Sequence, residues 1–374
     1  MSENDIKTVE PVTCGCGGKS ADAEPENRPQ DAARIAPSLE GHIATAAGDI
    51  PRVASRLSLR DKVGIVRVRS GITRNEYRVP PGLFAVGQPD ANSPVLVTAN
   101  YKYSFDSLRR GLAGRNAWVL VLNTKGINVW CAAGKGTFGT AEVVKRVTET
   151  HLDRVVSHRK LILPQLGAPG VAAHEVQKQT GFRVVFGPVR AADVNSFLDQ
   201  GMKATPDMRA VKFGFLQRLA MVPEEIVAHL PILFVALAVQ AGLSLIGSGR
   251  LVLFDLVLVI AAILAGCALV PMFLPWIPGR AFSFKGWLAG VVVVLALEAY
   301  AVAGLGHVFH WRSLVLSLLI LPVISAYAAM NFTGTSTFTS LSGVVKEMSR
   351  AVPLMLTSAS LYVVLFILTI FVKF

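Results

Sequence analysis

The sequence has few cysteines, few aromatic residues and little charge for its length. It contains four Cys among 374 residues, 8% Phe, Trp and Tyr, and 17% charged side chains. Four dispersed thiols do not make a disulfide framework, so we expect a reducing compartment that keeps them as thiols, and each cysteine is considered on its own. The mean hydropathy of +0.48, with 52% hydrophobic residues, excludes an ordinary soluble protein of this size.

Charge is scarcest in the C-terminal part of the chain. Before residue 229 there are 30 Lys and Arg against 22 Asp and Glu, whereas the remainder has 7 against 3. The uncharged runs there reach about 20 residues, which is enough to cross a bilayer. They predict an all-α transmembrane domain over 229–374, with five helices near 229–247, 251–277, 286–305, 312–332 and 353–372.

The polar start of the chain predicts its orientation in the membrane. The first 40 residues lack the short apolar core of a secretory signal. The loops 279–285 and 333–351 carry two Lys or Arg each, and the loops on the other side carry single ones. We therefore expect a multi-pass protein of the inner, cytoplasmic membrane, with its N-terminal domain in the cytoplasm. Basic and acidic residues are interleaved in that domain, which argues against nucleic acid as a partner and predicts a solvated surface with some attraction to anionic lipid. The apolar spans make the lipid bilayer the expected partner.

The N-terminal half predicts a disordered arm over 1–45, an α/β domain over 46–205 and a linker over 206–228. Helix-like runs occupy 104–110, 140–150 and 171–180. Strand-like runs occupy 62–68, 83–86, 94–98, 118–122, 160–163 and 182–186. Short apolar strands that alternate with amphipathic helices predict a mostly parallel, Rossmann-like sheet covered on both faces.

Ligands of such sheets bind at the carboxyl ends of the strands. Four loops follow predicted strands there, at 98–103, 123–140, 164–170 and 186–190, and most are rich in Gly, Ala or Pro. Small residues allow a close approach of the backbone to a large, flat ligand. We expect these loops to share one site.

The second of these loops contains Cys131, for which several kinds of site compete. The run from Ala132 to Thr137 resembles a phosphate-binding loop, but Val129 and Gly136 stand where that motif needs Gly and a hydroxyl residue. A zinc site is poorly supported, because no second Cys or His lies at ligand spacing.

Cys131 could also be the catalytic thiol of a hydrolase or a small residue buried in the core. Nothing in the sequence brings a histidine such as His151, His158 or His174 to the thiol as a base. Against plain burial, the flanking segment is polar and rich in glycine, and it follows a predicted strand at the ligand edge. We therefore interpret Cys131 as part of a ligand site.

The segment Asn128-Val-Trp-Cys-Ala-Ala-Gly-Lys135 resembles the signature of the membrane corrinoid protein of the bacterial and archaeal mercury-methylating pair. The soluble domain is also similar to the corrinoid domain of the corrinoid iron–sulfur protein of the acetyl-CoA pathway. That relative lacks both the cysteine and the five spans. The resemblance implies a mercury methyltransferase of anaerobic one-carbon metabolism.

The resemblance further implies a base-off, cobalamin-type corrinoid between the loops and a cap helix that begins near Asn128. Cys131 would then be the lower axial ligand of cobalt, and a thiolate there favours transfer of methyl to Hg(II) as a carbanion or a radical. The expected cofactor contacts are Asn128, Val129, Trp130, Ala132, Ala133, Gly134, Lys135, Thr98, Asn100, Tyr101, Gln165, Gly167, Gly170, Gly187 and Arg190. The implied partners are a small ferredoxin with two [4Fe–4S] clusters and a methyltetrahydrofolate-linked methyl donor.

Two further functions stay open on the sequence alone. One is a corrinoid methyl carrier of acetyl-CoA or one-carbon metabolism. The other is a membrane transport or sensing protein whose soluble domain only binds a corrinoid, for which Glu298 in the third span gives some support. Cys14 and Cys16 on the N-terminal arm are either a soft-metal trap that captures Hg(II) or an incidental pair.

Overall fold

The computed structural model describes residues 38–73, 76–248, 252–332 and 341–371. The chain forms two compact units. The first comprises the residues up to Val68 and Thr73–Val211, and the second comprises residues 69–72 and the chain from Lys212 onward. The predicted capture pair Cys14 and Cys16 lies outside the described residues, as do most of the predicted arm and part of the 333–351 loop.

The first unit is built on a seven-stranded sheet with the order β1-β2-β3-β5-β4-β6-β7. Strands β5, β4, β6 and β7 are parallel neighbours, whereas β3 runs antiparallel to β5 and β1 antiparallel to β2. The strands are Leu39–Thr45, Gly48–Val53, Gly82–Val86, Val95–Ala99, Ala117–Leu122, Lys160–Leu163 and Arg183–Phe186. The α/β prediction is confirmed, with a more mixed sheet than expected.

Apolar strand sequences explain why this sheet is covered on both faces. All six residues of β5, Ala-Trp-Val-Leu-Val-Leu, are buried, a pattern typical of a strand with helices on either side. Strand β5, which follows β4 in the chain, lies on one side of β4 in the sheet, and β6 lies on the other side. Such a reversal opens a crevice at the carboxyl edge, where ligands of α/β sheets bind.

Eight α-helices of the first unit are described, with a 3-10 helix over Gln165–Gly170. They are α1 Leu59–Arg69, α2 Lys102–Gly111, α3 Val129–Gly134, α4 Thr140–Glu149, α5 Leu152–Val155, α6 Ala173–Thr180, α7 Val194–Asp199 and α8 Pro206–Arg209. The predicted linker over 206–228 is therefore partly helical.

Two local predictions for this unit are wrong. Residues 62–68, predicted as a strand, lie in helix α1, because Ser58 and Asp61 form a capping box that starts a helix. Residues 39–45, predicted as part of a disordered arm, form the edge strand β1, which pairs with β2 through a tight turn. Local capping and pairing outweighed composition in both cases.

The second unit contains five helices long and apolar enough to cross a membrane, among the residues that the structure describes. The candidate spans are Phe215–Gly247, Leu253–Phe273, Phe282–Leu305, Trp311–Asn331 and Ser342–Phe371. The predicted number is confirmed, although the first and last helices begin more than ten residues before the predicted limits. The protein is therefore a membrane protein by the length and composition of these helices.

Small residues allow close packing of the second, third and fourth candidate spans. A Cβ atom on Gly266 or on Gly286 would collide with the Ser325 carbonyl oxygen. The Ser325 hydroxyl donates to the Gly286 carbonyl at 2.7 Å. Close backbone approach with hydroxyl hydrogen bonds is the usual packing of helices in lipid.

A buried ion network holds helix α1 to helix α2 in the first unit. Asp61 accepts hydrogen bonds from Lys102 Nζ at 2.6 Å and from Arg109 Nη2 at 2.8 Å, and Asp106 accepts from both cations. Burial works to raise the pKa of Asp61, but the hydrogen bonds from Lys102 and Arg109 outweigh it and hold that pKa well below its usual range. This stabilisation is present above the unfolded pKa, near pH ~4, and is lost as the pH falls toward the lowered value.

Breaking the network from one side leaves charges buried without a partner. We expect Arg109→Met to lower the free energy of unfolding of the first unit by about 3–5 kcal/mol, measured by hydrogen exchange of the β4 and β5 amides. Arg115→Met is the matched control, since Arg115 pairs with Asp199 at the surface and its loss costs about 0–1 kcal/mol. Equal effects of the two substitutions would contradict a stabilising role of the network.

Candidate functional site

Helix α3 lies in the connection from β5 to α4 and has one buried and one outward face. Val129, Ala132 and Ala133 are buried in the hydrophobic core, with exposed fractions of 8%, 0% and 6%. Trp130 is 48% exposed, and Cys131 is partly exposed. The helix is thus anchored by three small apolar side chains while the thiol and the indole remain accessible.

Asn128 starts this helix and contacts the thiol. Its backbone is extended, and its side-chain Oδ1 accepts a hydrogen bond from the Cys131 N–H at 3.0 Å. Its Nδ2 lies 3.5 Å from Cys131 Sγ. Asn is a preferred residue for the N-cap because its side chain satisfies one of the free N–H groups of the first turn. The prediction of a helix that begins near Asn128 is confirmed.

Asn100, at the end of β4, holds the loop that leads into this helix. Its Oδ1 accepts hydrogen bonds from the Thr124 hydroxyl at 2.9 Å, the Thr124 N–H at 3.1 Å and the Gly126 N–H at 2.9 Å. Asn100 and Thr124 are 2% and 0% exposed. The predicted contact of Asn100 with a cofactor stays a prediction, but its position and bonding show that it fixes the loop.

The 3-10 helix Gln165–Gly170 packs directly against helix α3. A Cβ atom on Gly170 would collide with the Phe138 carbonyl oxygen and lie 3.1 Å from the Ala133 Cα, and one on Gly167 would lie 2.5 Å from the Phe138 ring. These glycines were predicted for their approach to a ligand. The structure gives them a second reason, namely that the chain itself leaves no space for a side chain.

Gln165, at the start of this 3-10 helix, has a buried polar atom to which the described residues give no partner. Its Oε1 has no hydrogen bond there, although an unsatisfied buried acceptor costs about 1–3 kcal/mol. Gln165 also lines a cavity of about 400 Å³ beside strand β7, whose other lining residues are Arg183, Val184, Val185, Phe186, Met202, Lys203, Ala204 and Arg209. An amide N–H from a ligand would satisfy this oxygen.

Some of the remaining predicted cofactor contacts lie away from Cys131 or are already engaged within the protein. Thr98 lies on the sheet face of Leu96, opposite the face that carries helix α3. Tyr101 is buried in the same core as α3, and Gly187 packs against Ile162. Arg190 is bound to Asp193 at 2.9 Å, and Lys135 forms the exposed C-cap of α3. The structure therefore brings only part of the predicted set to the Cys131 side of the sheet.

Thr124 and Phe138 position this site and were missed from the sequence. Thr124 donates its N–H to Asn100 Oδ1, and its hydroxyl lies within hydrogen-bond distance of the carbonyl of Ile127, one residue before the cap. Phe138 is fully buried between α3 and the 3-10 helix. A hydroxyl residue two positions beyond the strand end was an available signal for Thr124, whereas the role of Phe138 depends on packing distant in sequence.

Metal coordination by the protein alone is not indicated at this site. The described part of the chain contains no group of three or more His, Cys, Asp or Glu side chains that could hold a metal ion. Cys131 and Cys267 form no disulfide, and Cys267 is buried in the second unit.

Residues 69–198 match the family described as CO dehydrogenase/acetyl-CoA synthase delta subunit. The acetyl-CoA decarbonylase/synthase complex subunit gamma is 35% identical over 130 residues in Methanopyrus kandleri and 31% identical over 129 residues in Archaeoglobus fulgidus. The corrinoid/iron-sulfur protein large subunit of Moorella thermoacetica is 28% identical over 122 residues.

These matches cover about a third of this chain, 34%, 34% and 32% respectively, and about a quarter of each relative, 28%, 27% and 27%. The segment matched by the family contains strands β3 to β7 and helix α3, and it ends before the first candidate span. The predicted similarity to acetyl-CoA pathway corrinoid proteins is confirmed. The resemblance to the mercury-methylating family stays a prediction.

The cap at Asn128 can be tested without any ligand. We expect Asn128→Ala to destabilise helix α3 by about 1 kcal/mol, because the Cys131 N–H loses its acceptor. Hydrogen exchange of a peptide that covers residues 124–134 would accelerate, with little change in β4. Asn128→Ser keeps a capping oxygen and should retain most of the protection. The cap assignment would be wrong if the two variants exchanged alike.

Proposed function

We propose that the first unit binds a corrinoid at the edge formed by helix α3 and the 3-10 helix, and that the protein is a methyl-transfer component. The observation that carries the proposal is the partly exposed Cys131 thiol on the outward face of a helix capped by Asn128. Two similarities support it, that of residues 69–198 to the CO dehydrogenase/acetyl-CoA synthase delta subunit family and that of part of the chain to a corrinoid/iron-sulfur protein large subunit.

The residues at this edge fit a large, flat and amide-bearing macrocycle. Trp130 and Cys131 are accessible on α3, and a Cβ on Gly134 would meet no atom within 4 Å. The Gln165 oxygen can accept a hydrogen bond from an amide N–H, and a thiolate is a soft donor that suits a transition metal. When bound, the corrinoid supplies a cobalt ion that accepts and releases a methyl group.

The Cys131 thiolate would bind the cobalt of the corrinoid and donate charge to it. Asn128 keeps the sulfur in place through the cap and through its Nδ2 contact at 3.5 Å. Asn100 and Thr124 hold the preceding loop, and Phe138 supports the helix from the core side. These residues preorganise the thiol, since they are bound or buried before any ligand arrives.

Two acceptors for the methyl group are supported by different observations. The names of the relatives favour a carrier of acetyl-CoA or one-carbon metabolism, which hands methyl to a nucleophile. Cys131 favours an electrophile such as Hg(II), because a thiolate donates charge and promotes departure of methyl with its bonding electrons or with one of them. We propose mercuric ion as the acceptor and the carrier function as the second candidate.

Either function would need a methyl donor, and transfer to Hg(II) would also need a reductant, because methyl that leaves with one or both bonding electrons leaves the metal oxidised. We propose a low-potential electron donor, such as a ferredoxin with two [4Fe–4S] clusters, and a methyltetrahydrofolate-linked methyl donor. We place the protein in the cytoplasmic membrane with the first unit in the cytoplasm, in line with the charge bias of the loops.

The proposed acceptor is tested with the full chain in nanodiscs, loaded with methylcobalamin under anaerobic conditions. We expect methylmercury to form on addition of Hg(II), and Cys131→Ala to lose at least 100-fold in rate while it still binds the corrinoid. Cys267→Ala is the matched control, because it removes the buried thiol of the second unit. Methyl transfer to a thiol but not to Hg(II) would favour the carrier function, and equal rates for both cysteine variants would remove Cys131 from the mechanism.

Substitution of Gly134 or Gly170 by alanine tests whether the corrinoid binds on the outward face of helix α3. We expect Gly134→Ala to leave the fold intact, since its Cβ meets no atom, and to weaken corrinoid binding at least tenfold. Gly170→Ala would instead disturb the protein itself, since its Cβ meets the Phe138 carbonyl. Binding is measured from the visible spectrum of the corrinoid and folding from circular dichroism. Unchanged binding by Gly134→Ala would move the site off this face of α3.

A further inference from the structure

Helix α1 presents an apolar stripe to the outside of the first unit. Leu59 is 80% exposed, Val63 59% and Val66 65%. Their spacing of four and three residues puts them on one face of the helix. The opposite face, with Asp61 and Val68, is buried against the unit. The stripe is therefore a continuous feature of this helix and not a scatter of single exposed residues.

Cations flank the stripe on both sides. At 100° per residue, Arg60 and Arg67 lie along one border and Lys62 and Arg69 along the other, and all four are exposed. The single carboxylate of helix α1, Asp61, is buried and bound by Lys102 and Arg109. The outward side of this helix thus combines apolar side chains with an excess of positive charge.

The last residue of helix α1, Arg69, belongs to the second unit. Residues 69–72 belong to the second unit, and Arg69 Nη2 donates to the Ala220 carbonyl at 3.3 Å. Ala220 lies two residues before the long helix Val222–Ser248, within the candidate span Phe215–Gly247. Ile72, just beyond α1, is 43% exposed and extends the apolar surface.

We propose that helix α1 binds the surface of an anionic phospholipid bilayer, with its apolar stripe among the acyl chains and its cations at the headgroup phosphates. Apolar side chains between flanking Lys and Arg are typical of helices that lie in the membrane interface. The long cationic side chains reach the headgroups while their stems cover apolar surface. A bilayer is the partner already required by the five spans.

A second copy of the chain fits the same face less well. Pairing two α1 stripes across a twofold axis would oppose four cations with four cations, which is repulsive. Anionic lipid attracts and neutralises the same cations. Charge complementarity therefore selects lipid as the occupant.

The test places a photo-crosslinking benzoylphenylalanine at Val63 in the full chain, in nanodiscs of phosphatidylcholine with or without phosphatidylglycerol. We expect lipid adducts at position 63 that increase at least threefold with phosphatidylglycerol. The control position is Lys178, an exposed residue of helix α6 in the same unit, which should give few adducts in either lipid. Adducts are identified by mass spectrometry.

A charge variant separates binding from folding. Arg60→Glu combined with Arg67→Glu should reduce the adducts at position 63 at least threefold while hydrogen exchange of strand β4 stays unchanged. If β4 exchange changes, the single Arg67→Glu replaces the double variant. The proposal is overturned if position 63 crosslinks to protein, in the same or a second chain. It is also overturned if the yield of lipid adducts is equal at positions 63 and 178, or if the yield at position 63 does not depend on phosphatidylglycerol.

Discussion

The candidate site depends on two asparagine side chains that fix the start of one short helix. Asn100 gathers three donors of the loop after β5, and Asn128 caps the helix that carries Cys131. A helix of six residues is too short to be stable by itself, so its position comes from the cap, from the loop and from Val129, Ala132 and Ala133 in the core. With Val129, Ala132 and Ala133 facing the core, Cys131 lies on the outward face of the helix, where it is partly exposed.

The sheet explains why these parts meet. Strand β4 lies between β5 and β6, so the residue that ends it is next to both the loop that leads into α3 and the 3-10 helix. The glycines of the 3-10 helix then let it approach Ala133 and Phe138. The partly exposed sulfur of Cys131 beside a closely packed core distinguishes this cysteine from the buried Cys267.

Much of this arrangement could be predicted from patterns that are local in the chain. The apolar run of β5 and the five membrane helices follow from spacing and residue type, whereas the helix start at Asn128 was implied by the family resemblance. Helix α1 was missed because its β-branched residues predict a strand, while the capping pair Ser58 and Asp61 acts in the other direction. Its buried ion partners on α2 are about 40 residues away and give no local signal.

Features set by distant packing could not be predicted. The sheet face on which Thr98 lies follows from the burial of its neighbours, and the requirement for glycine at 167 and 170 follows from Phe138 and Ala133. The unsatisfied oxygen of Gln165 is visible only once its surroundings are known. The sequence nevertheless directs attention to the carboxyl ends of the parallel strands. There the structure brings Asn100 and the loop before helix α3 together.

The central claim is that the Cys131 sulfur binds the metal of a corrinoid, and X-ray absorption at the cobalt edge tests it most directly. The full chain in nanodiscs, loaded with a corrinoid, is compared with its Cys131→Ala variant. We expect a sulfur atom directly bonded to cobalt in the wild-type protein and its loss in the variant, with the corrinoid still bound. Identical spectra from the two proteins would contradict it.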